Sequence, residues 1–228
     1  LGPVSVSEDV KKGRLREITE IAQHATWDYV FPGDCRDGKT VKMRWVDRLQ
    51  RKTGVVKSRL RAMEFAWDLR NDTFAGTPPL TAVRMVVSNA ATGVRHPIMV
   101  TDITCAFLHS SMEGEPPLYV VIPVGLGPPG MRGRLRVALY GARRASFLWG
   151  ETAANSFTDA GCVRLRGCGQ VFVHPQKNLT AAIHGDDVIS ESTDEGEHNA
   201  KDIFVQIFTI LIFSTVYAAP EYKCWLKN

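Results

Sequence analysis

The sequence predicts an α+β fold in which antiparallel hairpins make the sheet and separate helices flank it, and three observations carry that prediction. Residues 179–183 form a short apolar stretch that runs into His184-Gly185-Asp186-Asp187 and leaves through Val188-Ile189. This is the pattern of strand, tight turn and strand, with Gly185 supplying the backbone freedom of the turn. Within residues 42–61, Thr53-Gly54 divides two further strands. Helical signals stand apart from both hairpins: near the N-terminus, after Pro78-Pro79 and from Trp149 onward.

In chain order, Ser7-Glu8-Asp9 ahead of residues 15–25 reads as a capped amphipathic helix, and Pro32-Gly33-Asp34 as the turn separating it from the first hairpin. Pro78-Pro79 starts a second helix carrying Ala82, Val83, Met85 and Val86. Residues 96–108 read as a buried strand leading into a turn or helix, interrupted by one acid, Asp102. Loops at 114–117 and 125–130 bracket a short strand over 118–122. Residues 149–160 place Trp149, Ala153 and Phe157 at helical spacing, as a core stripe. The acidic residues 191–197 give way to an unusually apolar run over 203–219, expected to form a buried strand or helix. A bilayer span needs about 20 predominantly apolar residues. This run is slightly short, contains Gln206, Thr209, Ser214 and Thr215, and lacks strong basic flanks, so no membrane partner is expected.

The chemistry concentrates on three aspartates. The turn thrusts Asp186 and Asp187 off the sheet edge, where they repel each other unless a cation neutralises them; hard oxygen ligands favour Mg²⁺ or Mn²⁺ over zinc. An acid within a core strand is costly without a partner. Asp102 can share a metal with the Asp186-Asp187 turn, or be satisfied by backbone amides or an arginine. An ordinary surface turn is the alternative for the Asp-Asp pair. Basic residues form a second feature. Lys42, Arg44, Arg48, Arg51, Lys52, Lys57, Arg59 and Arg61 face a single acid, Asp47, over 42–61. Arg132, Arg134, Arg136, Arg143 and Arg144 lie in residues 116–150, which hold no acid. A basic hairpin of this kind can close over a triphosphate, and a solvated charged face is the alternative.

Six segments then follow one another in a known order: Val41-Lys42-Met43-Arg44-Trp45-Val46; Lys57-Ser58-Arg59-Leu60-Arg61-Ala62; Thr73-Phe74-Ala75 with Arg84; Asp102-Ile103-Thr104-Cys105-Ala106-Phe107-Leu108; Leu118-Tyr119 with Pro123 and Gly125; and Leu139-Tyr140-Gly141 with Trp149. His184-Gly185-Asp186-Asp187 completes the series. Over residues 41–190 the chain resembles the reverse transcriptase of copia-type LTR retrotransposons, whose corresponding motifs include K-A-R-L-V-A, D-V-x-x-A-F-L, L-Y-G-L-K-Q-A-P-R and Y-V-D-D. The resemblance implies a right-hand polymerase fold with an antiparallel palm sheet flanked by helices. It places fingers over 41–97 and 114–149, palm over 98–113 and 150–200, an N-terminal extension over 1–40 and a divergent apolar tail over 201–228, with the thumb missing.

The same resemblance implies an RNA-directed DNA polymerase in which Asp102, Asp186 and Asp187 are catalytic and hold two Mg²⁺ ions, with Mn²⁺ as an alternative. Lys57 and Arg59 would contact the triphosphate of the incoming dNTP. Phe107 would lie beneath its sugar as a steric gate against a 2′-hydroxyl, although plain core packing is the alternative for that ring. Implied partners are an RNA or DNA template with primer, dNTPs and other parts of a parent polyprotein. The implied setting is intracellular, in a cytoplasmic particle or the nucleus.

Some residues depart from the family pattern. Arg143-Arg144-Ala145-Ser146-Phe147 stands where the family has K-Q-A-P-R, so Arg144 replaces a glutamine expected to touch the nucleotide. An arginine there can contact phosphate or take the space of the base pair. Met63-Glu64 replaces a lysine and a glycine, and His184-Gly185 replaces the residues before the paired aspartates. These departures keep open a second reading, a catalytically inactive retrotransposon relic with residual nucleic-acid binding. A metal-dependent nuclease is a third, but it gives no reason for Phe107 or for the basic hairpin.

Composition bounds these readings. With 228 residues and 44% hydrophobic content the chain has material for one sizeable core or two small lobes, which excludes a disordered chain. A net charge of +4 is modest, so nucleic-acid affinity must come from the basic clusters. The five cysteines, Cys35, Cys105, Cys162, Cys168 and Cys224, include no C-x-x-C pair, which argues against a disulfide framework or a zinc site and for a reducing compartment. The first residues, beginning at Leu1, show no basic-then-apolar signal segment, and a piece of a longer polyprotein or gene model is expected.

Overall fold

A computed structural model describes residues 7–65, 78–92, 98–192 and 212–218, the last as backbone. Thr73-Phe74-Ala75, the acidic residues from 193 on, residues 203–211 of the apolar run and Cys224 lie outside the described residues. The elements in chain order are α1 (Glu8–Gln23), β1 (Trp27–Val30), β2 (Lys39–Leu49), β3 (Val56–Ala62), α2 (Leu80–Thr92), β4 (Ile98–Ile103), β5 (Leu118–Val121), β6 (Arg132–Leu135), α3 (Ala145–Asp159), β7 (Val163–Arg164), β8 (Val171–His174), β9 (Leu179–His184), β10 (Asp187–Ser192) and β11 (Ile212–Ala218). They make an α+β fold with two sheets, and the chain divides into two compact units.

The first unit comprises Leu1–Phe74 and Phe107–Trp149. Its sheet has the order β1-β6-β5-β2-β3 and is antiparallel except between β2 and β5. The predicted basic hairpin is present, with β2 and β3 paired from Met43 opposite Ala62 to Leu49 opposite Val56. Helix α1 begins where the sequence indicates. The Ser7 hydroxyl accepts the Val10 N–H at 3.4 Å, and Glu8 and Asp9 sit in the first turn, where the helix dipole favours acids. The helix buries Gly13, Glu17 and Ile21. Gly13 is required by the close approach to β3, because a Cβ there would lie 2.7 Å from Ser58 Oγ and 2.8 Å from the Val56 carbonyl oxygen.

The second unit comprises Ala75–Ala106 and Gly150–Asn228. Its six-stranded sheet, in the order β11-β4-β10-β9-β8-β7, is antiparallel throughout. On one face α2 lays Ala82 and Val86 against Val171 and Ala182, with Ile189 at the margin. Four residues apart, Ala82 and Val86 share one side of the helix, and Met85 is left exposed. On the opposite face Phe157 of α3 stacks on Phe172 of β8, with ring centroids 4.8 Å apart. The expected stripe of Trp149, Ala153 and Phe157 is buried.

Part of the apolar run is a strand: β11 extends the sheet beside β4, with Ile212 opposite Ile103 and Phe213 opposite Asp102. Among the described residues no helix is long and apolar enough to cross a membrane. Asp102 differs from the expectation of a buried acid, since it is only half-buried. The pleat explains this. Met99, Thr101 and Ile103 of β4 are buried on one face, and alternation turns Asp102 to the other face near the strand end.

Candidate active site

All three aspartates singled out by the sequence belong to the second unit, and the sheet brings them together. Strands β9 and β10 join through a two-residue turn, Gly185-Asp186, closed by the pair His184 and Asp187. Gly185 has φ of +66°, a left-handed conformation that hairpin turns of this length use and that a side chain disfavours. The Asp186 carbonyl accepts the Ile103 N–H at 2.8 Å, which ties the turn to the end of β4. Asp187 is the register partner of Asp102. Such partners lie about 4.5–5.5 Å apart at Cα and project from the same face. That face also carries Ile189 and Ala182, so α2 packs on the same side of the sheet as the aspartates and Phe157 on the reverse.

The electrostatics reflect this crowding. The Asp187 carboxyl is pushed above its ordinary range, first by partial desolvation at the strand ends and then by the negative charges of Asp186 and Asp102; the nearby His184 acts in the other direction. Among the described residues, no group of three or more His, Cys, Asp or Glu side chains is arranged to hold a metal ion. The donor chemistry nevertheless fits a hard divalent cation, because mutually repelling carboxylate oxygens are what such an ion neutralises.

The other predicted residues, Lys57, Arg59, Phe107 and Arg144, belong to the first unit. Lys57 is exposed on β3. Arg59, two residues on, is engaged from two directions. Its Nη1 donates to Glu17 Oε2 of α1 at 2.7 Å, and its guanidinium carbon lies 5.4 Å from the centroid of the Tyr140 ring. Glu17 is almost wholly buried, and its Oε1 accepts the Leu60 N–H at 3.1 Å. Burial pushes the Glu17 carboxyl up, opposed by the Arg59 charge and the Leu60 hydrogen bond. Phe107, half-buried in the 3₁₀ turn Ala106–His109, meets Tyr140 edge to face with centroids 4.9 Å apart.

Arg144 is held rather than exposed. Its Nη2 donates to Glu115 Oε1 at 2.6 Å, with only 15% and 14% of the two side chains exposed, and its guanidinium lies over Phe147 at 4.6 Å. Glu64, an unexpected anion in the sequence, is also compensated, accepting the Arg143 N–H at 2.9 Å and lying 3.7 Å from Lys39 Nζ. Sequence reasoning missed Glu17, Tyr140 and Glu115. Glu17 carries a readable signal, since it lies midway between Gly13 and Ile21 at helical spacing on the buried stripe of α1. Tyr140 is marked only by the Leu139-Tyr140-Gly141 segment, and nothing near Glu115 in the sequence points to Arg144.

Comparison with known proteins adds a match to the family described as reverse transcriptase (RNA-dependent DNA polymerase), over residues 24–216. The match runs past both ends of the 41–190 stretch that the motifs cover. No curated protein matches the sequence. A match over most of the 228 residues, joined to motifs in the family's order, makes this chain a member of the reverse transcriptase (RNA-dependent DNA polymerase) family.

Proposed function

We propose that the chain is the RNA-directed DNA polymerase domain of a copia-type retrotransposon polyprotein, transferring nucleotides to a primer 3′-hydroxyl, with fingers over 41–97 and 114–149 and palm over 98–113 and 150–200. The observation that carries this reading is the register of Asp187 opposite Asp102, with Asp186 in the adjoining turn. Asp102, Asp186 and Asp187 would hold a pair of Mg²⁺ ions, or Mn²⁺. When bound, the ions supply charge stabilisation for the attacking and leaving oxygens of an in-line displacement.

The remaining roles fall to side chains that bind and orient. Arg59 offers paired donors to phosphate oxygens and Lys57 a point charge. In this reading the Phe107 ring would lie beneath the sugar of the incoming nucleotide and exclude a ribose 2′-hydroxyl. Arg144 is a candidate phosphate contact whose charge is already shared with Glu115. The partners in this reading are an RNA or DNA template with primer, dNTPs and the rest of the polyprotein, in an intracellular setting. Binding to nucleic acid would weaken as salt rises, because the basic clusters release counterions from the phosphate backbone.

The test is primer extension on a poly-A template with Mg²⁺ or Mn²⁺, comparing the chain with Asp186→Asn. Extension by the first and its loss in the second supports the polymerase reading. Nucleic-acid binding without extension by either would instead establish an inactive relic.

A further inference from the structure

We infer that Tyr140 is a positioning residue shared by the triphosphate contact and the sugar gate, so that grip on the phosphates and exclusion of the 2′-hydroxyl are set together. The inference rests on the roles proposed above for Arg59 and Phe107 and adds a physical link between them. All four residues of that link, Glu17, Arg59, Tyr140 and Phe107, lie within the first unit.

The geometry is a packed chain of contacts. Glu17 fixes Arg59 from the α1 side through a 2.7 Å ion pair whose carboxylate is only 2% exposed. Tyr140 takes the same guanidinium on its ring, at 5.4 Å, and meets the Phe107 ring at 4.9 Å with 64° between the ring planes. A ring in contact with a cation and with an edge-to-face aromatic neighbour is attracted to both through its quadrupole, so displacing it releases both.

The backbone of Tyr140 is anchored independently of its ring. Its carbonyl accepts the Ala62 N–H at 2.7 Å at the end of β3, the strand that carries Arg59, and Ala138 and Leu139 before it are fully buried. Removing the ring therefore takes away the support of Arg59 and Phe107 while the main chain stays in place. Glu17 pairs with the arginine and accepts the Leu60 N–H of the same strand, and no contact links it to the Phe107 ring among those described.

The experiment measures the affinity of dGTP and of GTP for the full chain on a primer-template whose primer is chain-terminated, with Mg²⁺, so that no chemistry is needed. Arg59→Ala should weaken both nucleotides alike, and Phe107→Ala should lower the preference for dGTP over GTP. Tyr140→Leu should do both, weakening dGTP about threefold or more and lowering the preference by a similar factor, the scale expected from losing one cation–π and one edge-to-face contact. Tyr140→Phe, which keeps the ring, should restore both quantities. Glu17→Gln should weaken both nucleotides without changing the preference. Tyr140→Met replaces the leucine variant if circular dichroism shows that the latter does not fold.

A purely structural role for Tyr140 would lower the melting temperature and leave the preference as it was, which overturns the inference. If Arg59→Ala and Phe107→Ala behave as described and neither ringless variant moves the preference, the inference fails while the reading of the two residues stands. If the unmodified chain binds neither nucleotide, or the Arg59 and Phe107 variants change nothing, that reading fails and the inference with it.

Discussion

Asp187 stands directly opposite Asp102 across the antiparallel ladder of β10 and β4, and the Ile103 N–H clamps the turn that carries Asp186 to the same strand end. The backbone thus brings Asp102, Asp186 and Asp187 to one end of the sheet, and the Asp187 carboxyl is raised there, first by desolvation and then by the charges of Asp186 and Asp102.

One consequence concerns stability with and without metal. Asp187→Asn removes a repelling charge, so in the absence of divalent ions its melting temperature should equal or exceed that of the unmodified chain. Adding Mg²⁺ should raise the melting temperature of the unmodified chain more than that of the variant, because a ligand that binds only the folded state stabilises it. Scanning fluorimetry with and without Mg²⁺ reads both. Equal Mg²⁺ shifts in the two proteins would remove Asp187 from the ion site.

Acid sensitivity should arise at the seam between α1 and the basic hairpin. Arg14 donates to both carboxylate oxygens of Asp47, at 3.2 and 2.7 Å, and Ser58 Oγ donates at 2.7 Å. The hydrogen bond from Arg14, followed by that from Ser58, holds the Asp47 carboxyl below its ordinary range. A carboxyl lowered on folding contributes stability that is complete above its unfolded value of about 3.9 and is lost as pH falls through the folded value. Urea unfolding between pH 6 and pH 3 should therefore show a smaller loss of stability on the acid side for Asp47→Asn than for the unmodified chain. Parallel acid limbs would refute this.

Arg144, at the position where the resemblance leads one to expect glutamine, is paired with Glu115. Arg144→Gln alone leaves the nearly buried Glu115 uncompensated and should destabilise the protein, whereas Arg144→Gln with Glu115→Gln should recover most of the loss. Denaturant titrations of the four proteins in the cycle should give a coupling of about 1–3 kcal/mol. Additive effects of the two changes would mean that the pair does not act as a unit.

Gly13 tests how tightly α1 sits on β3. Alanine favours a helix over glycine by about 1 kcal/mol, but its Cβ would come within 2.8 Å of a backbone oxygen. Overpacking of that kind costs about 1–3 kcal/mol. The clash should outweigh the gain, so Gly13→Ala should lower the denaturation midpoint. A raised midpoint would show that the helix moves away at little cost.

The elements legible in the sequence are those with short-range causes. Ser7 with its two following acids starts α1, Thr53-Gly54 and Gly185-Asp186 turn the two hairpins, and Trp149, Ala153 and Phe157 mark the buried side of α3. Asp102 lies on the strand that the sequence indicates, but its half-buried state follows from its position near the strand end on the face away from the buried Met99, Thr101 and Ile103, and a run of apolar neighbours does not encode that.

The sequence by itself determined the α+β class, the hairpins, the three aspartates and, through the order of its motifs, the family. Only the tertiary structure decided which charges meet: Glu17 with Arg59 across 42 positions, Glu115 with Arg144 across 29, and Asp187 with Asp102 across the ladder. The physical reason is range. Turn and cap preferences are set by neighbours a few residues away, whereas a charged side chain has many potential partners along the chain. Packing selects one by excluding water from that pair and leaving the others solvated.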